Sequence, residues 1–157
     1  MTTNRRHFFT RYATAAGAAL AWFTRPTWAS TQLSDAQWRT KLSAPEYAVL
    51  RQQATERPQS SPLNQEKRTG TYNCAGCQVA LFTSAMKYDS GTGWPSFHSA
   101  LPGVLGTRID FKSVYPRTEY HCQGCGGHQG HVFNDGPAPT GKRYCNNGVA
   151  LSFVAAY

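Results

Sequence analysis

The five cysteines of this chain divide by spacing into four and one. Cys145 is the one. It follows Arg143 by two residues, and alternate residues of a strand share a face, so a guanidinium would stand beside the thiol. A thiol is a nucleophile only as its thiolate. With an ordinary pKa of about 8.5 it needs a cation or a base close by. His128 and His131 precede it, separated by a turn rich in glycine and proline that gives the chain a path back to Cys145. Nucleophile, base and cation within one short run form the pattern of thiol chemistry. The plainer alternatives are a buried Cys145 acting as a small apolar residue, and histidines that sit on a surface loop or assist a metal.

The other four cysteines form two Cys-x-x-Cys pairs, Cys74-Ala75-Gly76-Cys77 and Cys122-Gln123-Gly124-Cys125, with 44 residues between them. Each pair turns two sulfurs toward one point, and the glycine before the second cysteine lets backbone approach sulfur. Two such knuckles complete a tetrahedron suited to Zn²⁺. Two disulfides or two redox dithiols are the alternatives. Four sulfurs leave no coordination position for water, so the ion is expected to be structural, clipping together segments distant in sequence. A further unusual stretch is Ser90-Gly91-Thr92-Gly93-Trp94-Pro95-Ser96-Phe97-His98. Trp94 and Phe97 could wall a small apolar pocket there, core packing being the alternative.

These residues need a scaffold, and the composition favours a mainly β one. Aromatic residues lie in short runs between 14 glycines and 9 prolines. Strands are predicted at 71–74, 79–82, 94–97, 108–115, 119–122, 131–133, 142–145 and 151–155. Two short helices come first. One runs from Ser34-Asp35 to Lys41, and the other opens at the capping box Ser43-Ala44-Pro45-Glu46 and runs from Pro45 to about Thr55, stopped by Pro58. At 157 residues this is one folded domain, 30–157, preceded by a leader.

The leader, residues 1–29, carries four arginines and no acid, so much of the net charge of +8 belongs to it. Without it 12 basic face 8 acidic residues with no basic stripe, which argues against a nucleic-acid partner. Arg5-Arg6 ahead of two phenylalanines, an Ala-rich stretch of about 11 residues and Trp28-Ala29 resemble a twin-arginine export signal, with cleavage near Ala29. That stretch is too short to remain as a membrane anchor. Export to the periplasm in an already folded state would protect metal-bound thiolates from oxidation.

Cys-x-x-Cys, then Ser-Gly-x-Gly-Trp-Pro-Ser-Phe, then Cys-x-x-Cys-Gly-x-His-x-Gly-His-Val-Phe-x-Asp-Gly-Pro, then Thr-Gly-x-Arg-Tyr-Cys-x-Asn closely resembles the B-type methionine sulfoxide reductases over about residues 33–154. The resemblance implies two antiparallel sheets in a β-tent, one structural zinc on Cys74, Cys77, Cys122 and Cys125, and reduction of methionine-R-sulfoxide in proteins. It implies Cys145 as nucleophile, His128 and His131 on the departing oxygen and Asn147 fixing the site. Arg143 would support the thiolate, with Trp94 and Phe97 at the substrate. Many members carry a resolving cysteine where this chain has Thr92. A one-cysteine cycle is therefore expected, with an external thiol donor, either thioredoxin-like or a small thiol, and a monomeric enzyme. The rival readings are a non-catalytic zinc-ribbon binding module, which leaves Cys145 and Trp94 without a role, and a thiol–disulfide oxidoreductase, whose Cys-x-x-Cys should open a helix.

Overall fold

The computed structural model describes residues 33–157. The leader therefore lies outside the described residues. Two helices come first among the described residues, α1 (Asp35–Lys41) and α2 (Ala44–Gln52). Both start where the sequence places them, because Ser34 with Gln37 and Ser43 with Glu46 form reciprocal caps that satisfy free N–H groups of the first turn. Helix α2 stops earlier than the expected Thr55, and not at Pro58. Gln53 takes a left-handed conformation (φ 60°), and the Ala54 N–H returns to the Ala48 carbonyl, so the backbone itself closes the helix. Trp38 of α1 and Tyr47, Val49 and Leu50 of α2 are buried.

Nine strands follow: β1 (Gly70–Cys74), β2 (Ala80–Thr83), β3 (Lys87–Tyr88), β4 (Ser96–Phe97), β5 (Leu105–Asp110), β6 (Arg117–Cys122), β7 (His128–Phe133), β8 (Arg143–Asn146) and β9 (Leu151–Ala155). They make two antiparallel sheets, one of three strands in the order β2-β1-β9 and one of six in the order β3-β4-β8-β7-β6-β5. The expected mainly β architecture is thus present. Between the sheets lies an aromatic core in which Phe82 stacks on Phe97 at 4.0 Å and Tyr72 meets Phe97 edge-on at 5.0 Å. Burying a ring of this size contributes about 2–3 kcal/mol.

Most expected strands shift by one or two residues, and three differ further. The strand expected at 94–97 shrinks to Ser96–Phe97, since Gly93 turns at φ 90° and Pro95 has no N–H for a ladder. The strand expected at 108–115 begins at Leu105 and stops at Asp110, whose carboxylate accepts the Lys112 N–H at 2.8 Å and starts a turn. His128 falls inside β7 and not ahead of it. The two-residue β3 had no readable periodicity.

Candidate functional site

Cross-strand register decides which side chains meet. Ser96 pairs with Cys145, Cys145 with His131, His131 with Glu119 and Glu119 with Arg108, so these five project from one face of the six-stranded sheet in a row. The next row on that face holds Arg143, Phe133, Arg117 and Asp110. Gly130 permits the close approach of β7 to β8, because a β-carbon there would collide with the Cys145 carbonyl oxygen.

The same register assigns Phe97 to the opposite face, where it pairs with Tyr144. Phe97 is 0 % exposed, lies in the inter-sheet core and does not border the cavity described below. Its expected place at the substrate is therefore corrected. Of the aromatic pair in Trp94-Pro95-Ser96-Phe97, only Trp94 reaches the site. Pro95 and Ser96 separate the two, and Phe97 follows Ser96 onto the opposite face of β4.

A cavity of about 280 Å³ opens over this face. Thr92, Trp94, Arg117, His131, Arg143 and Cys145 are among the residues that border it, with Phe133 and Asn147. Cys145 is half-buried, and its Sγ lies 4.0 Å from the Thr92 hydroxyl. Burial raises the thiol above its ordinary pKa and outweighs the lowering by the Thr92 hydroxyl and the Arg143 charge. Arg143 itself is held by Asp135 through two bonds of 2.8 Å and lies over the Phe133 ring at 4.3 Å. Its fork is thus occupied by a carboxylate, and it acts on the thiol through its field and contact alone.

The two histidines have different surroundings. His131 donates from Nε2 to Asp110 Oδ2 at 2.7 Å, and Asp110 also accepts from Arg117 at 2.9 Å. The Lys112 N–H, His131 and Arg117 hold the Asp110 carboxyl well below the usual range. Burial lowers the His131 pKa despite Asp110. His128 is 2 % exposed and does not border the cavity. Its Nδ1 meets Glu119 at 2.7 Å, its Nε2 has no partner, and burial lowers its pKa too. Burial works to raise Glu119, but its bonds to Arg108 and His128 outweigh that and keep it low. The two imidazole rings are 5.5 Å apart.

Asp110, Glu119 and Glu56 are site residues that spacing did not reveal. Glu56 joins both walls of the cavity. Its carbonyl accepts from Trp94 Nε1 at 3.1 Å, its N–H donates to Asn147 Oδ1 at 3.0 Å, and its carboxylate accepts the Gly148 and Val149 N–H groups. Asn147 also donates from Nδ2 to the Gln129 carbonyl at 3.0 Å, so both ends of its amide are held by framework. The contacts of Glu56 span about ninety residues of sequence, and no local pattern encodes them.

The four remaining cysteines come together at one place. Their sulfurs all lie within 4.8 Å of one another, with Cys74–Cys125 at 3.7 Å and Cys77–Cys122 at 3.4 Å. A tetrahedron with Zn–S bonds of about 2.3 Å has edges of about 3.8 Å. The donor set fits a metal of that size. The two knuckles repeat one geometry. Cys74 N–H bonds Val79 O and Gln78 N–H returns to Cys74 O, just as Cys122 N–H bonds Gly127 O and Gly126 N–H returns to Cys122 O. Gln78 and Gly126 both take positive φ, 64° and 70°. Neither knuckle opens a helix, which removes the main structural ground for a dithiol oxidoreductase.

Comparisons with known proteins agree with this geometry. A family model described as the SelR domain matches residues 42–155. The chain is 52% identical over 119 residues to a peptide methionine sulfoxide reductase MsrB of Bradyrhizobium diazoefficiens, covering 75% of this chain and 86% of that protein. It is 46% identical over 125 residues to one from Methanosarcina barkeri, covering 79% and 88%. Against the chloroplastic peptide methionine sulfoxide reductase B1 of Arabidopsis thaliana it is 44% identical over 124 residues, covering 78% and 61%. Matching motifs, two antiparallel sheets and gathered sulfurs converge: this chain belongs to the SelR-domain family, the B-type peptide methionine sulfoxide reductases.

Proposed function

We propose that this enzyme reduces the R epimer of methionine sulfoxide in polypeptides, with Cys145 as its nucleophile. The observation that carries this is the pairing of Cys145 with His131 across β7 and β8, beside Trp94 on one cavity. The Cys145 sulfur attacks the sulfoxide sulfur while His131 gives a proton to the oxygen. The oxygen passes to the Cys145 sulfur, the S–O bond of the substrate breaks, and methionine leaves. The substrate sulfur gains two electrons and Cys145 loses two, becoming a sulfenic acid. Asp110 keeps the His131 ring oriented and favours its protonated form. His128, expected beside His131 on the departing oxygen, lies off the cavity and instead holds Glu119, the cross-strand neighbour of His131, and Asn147 is held with Trp94 through Glu56. Trp94 takes the substrate methyl, so an S epimer would point its oxygen at the indole. Separate epimers of a methionine sulfoxide peptide, with dithiothreitol as reductant, test the reading: R is turned over and S is not. A folded protein inert on both sinks it, and a non-catalytic zinc-ribbon module takes its place.

The cycle closes without a second cysteine of this chain. Two thiols of an external donor, thioredoxin-like or small, reduce the sulfenic acid, forming one disulfide and releasing the oxygen as water. Thr92 supports this reading, since the hydroxyl nearest Cys145 Sγ, at 4.0 Å, occupies the place where a resolving sulfur would stand. Thr92→Cys is expected to form an internal disulfide with Cys145 after one turnover, read by mass spectrometry as a loss of two hydrogens. Wild-type protein that already forms one in stoichiometric amount refutes the one-cysteine cycle.

Cys74, Cys77, Cys122 and Cys125 would hold one Zn²⁺, which supplies cross-linking of the fold and no chemistry. Residues 1–29 would act as a twin-arginine-type signal that delivers the folded, metal-loaded domain 30–157 to the periplasm, where it repairs exported proteins as a monomer. The paired arginines and the short apolar run support that location.

A further inference from the structure

The metal centre and the nucleophile's strand are joined by a buried chain of side-chain hydrogen bonds that the reaction does not use. It starts at Cys74. Gln129 Nε2 donates to Cys74 Sγ at 3.3 Å, and Asn146 Nδ2 donates to Gln129 Oε1 at 3.4 Å. Tyr120 OH donates to Asn146 Oδ1 at 2.8 Å. All four residues are 0 % exposed. Asn146 directly follows Cys145, and the backbone carbonyl of Gln129 accepts both the N–H and the side-chain amide of Asn147. Gln129 therefore touches the metal ligand Cys74 and both residues after the nucleophile.

A β-bulge puts it there. Tyr120 pairs with Gly130 and His121 with His128, which leaves Gln129 opposite no residue of β6. An unpaired residue in a bulge is released from strict alternation and can aim its side chain off the ladder. Without the bulge Gln129 would share the cavity face with His131, two residues on. With it, the amide points into the protein at the first knuckle.

The polarity of the chain is then set from one end. A metal-bound thiolate only accepts, so Gln129 must present its NH₂ to Cys74 and its oxygen to Asn146. Asn146 must in turn present its NH₂ to Gln129, where it also reaches the Asn147 carbonyl at 2.8 Å, and its oxygen to Tyr120. Every amide orientation along the line follows from the sulfur. We propose that Gln129 is a positioning residue that couples the metal centre to the strand of Cys145: it stabilises the Cys74 ligand by hydrogen bonding and, through Asn146 and Asn147, holds the nucleophile's flank. Donors behind metal ligands commonly change metal affinity or activity about 10–100-fold when removed.

The inference rests on zinc occupying the four-cysteine site, and the experiment separates the two. Zinc content and zinc release to excess chelator are measured for wild type, Gln129→Leu and Gln129→Glu. Visible spectra are recorded on the cobalt-substituted proteins. The expected result is about one zinc per wild-type chain, release from Gln129→Leu faster by about 10–100-fold, and faster still from Gln129→Glu, whose carboxylate faces a thiolate. In Gln129→Leu the thiolate-to-cobalt charge-transfer band moves to lower energy, a change that loosened packing alone would not cause. With zinc content matched to wild type, kcat of Gln129→Leu on the R-sulfoxide falls about tenfold. Release within twofold of wild type with an unmoved band overturns the metal half of the proposal, and an unchanged kcat at equal loading overturns the coupling. Wild-type protein that binds neither zinc nor cobalt overturns the zinc assignment itself and the proposal with it.

Discussion

Cys145→Ser loses turnover of methionine-R-sulfoxide by about 10⁴-fold or more, because a hydroxyl neither ionises near neutral pH nor matches sulfur as a nucleophile toward sulfur. The measurement is initial rate with dithiothreitol, with metal content and circular dichroism as controls that should not change. Serine is close to isosteric, and the half-buried Cys145 carries no ladder bond through its side chain. A variant that keeps more than a tenth of wild-type activity would move the nucleophile elsewhere. The other four cysteines are gathered at the metal site, so no alternative would remain among them. The thiol also has a characteristic pH response. Burial holds its pKa above the ordinary value, so the substrate-free protein is alkylated by iodoacetamide slowly at pH 7. The alkylation rate keeps rising with pH past the point where a free cysteine levels off. A thiol that is fully reactive at pH 6 would show that the Arg143 and Thr92 contributions, and not burial, prevail.

Metal removal has the larger structural effect. Cys77→Ser, or extended dialysis against a strong chelator, is expected to abolish the cooperative thermal transition of the domain. The sizes decide this. Structural zinc contributes an apparent 10–16 kcal/mol, roughly, in small zinc-dependent folds, while a whole domain retains only about 5–15 kcal/mol of net stability. The four cysteines sit at the ends of β1 and β6 and in the turns that follow them, so a bound ion would tie the three-stranded sheet to the six-stranded one. Helices α1 and α2 depend on the same place. A β-carbon at Gly76 would meet Leu50 and Trp38 at 3.6 Å, which shows how closely the helices rest on the first knuckle. Loss of the ion should therefore release the helices together with the sheet junction, read as loss of near-ultraviolet signal from Trp38. A chelated protein that melts at the temperature of the loaded one would show the aromatic core to be sufficient.

Both expected results rest on features that a reader of the sequence could see. Paired Cys-x-x-Cys knuckles, a leftover cysteine and two nearby histidines are statements about residue type and spacing, and spacing survives folding. The start of α1 at Ser34-Asp35 and the capping box of α2 were equally legible, because a serine and an acceptor three residues on act within one turn. Most strands could be located for the same reason, since the alternation of apolar residues is local.

The rest depended on contacts that no local pattern carries. The facing of Trp94 and Phe97 was undecidable until register paired Ser96 with Cys145, because a shift of one residue exchanges the faces of a strand. The carboxylates behind the histidines, Asp110 and Glu119, lie on neighbouring strands and become partners only through sheet order. Glu56 reaches Trp94 and Asn147 from a loop after α2 whose path was set by a left-handed Gln53. Gln129 turns inward at a bulge that its own residue type does not announce. By itself, then, the sequence determined the class of fold, paired the four cysteines that gather at one place and set Cys145 apart from them, since each rests on residue chemistry at short range. Which side chains confront Cys145, and which hydrogen bonds join Cys74 to its strand, only the tertiary structure decided, because both follow from register between strands far apart in the chain.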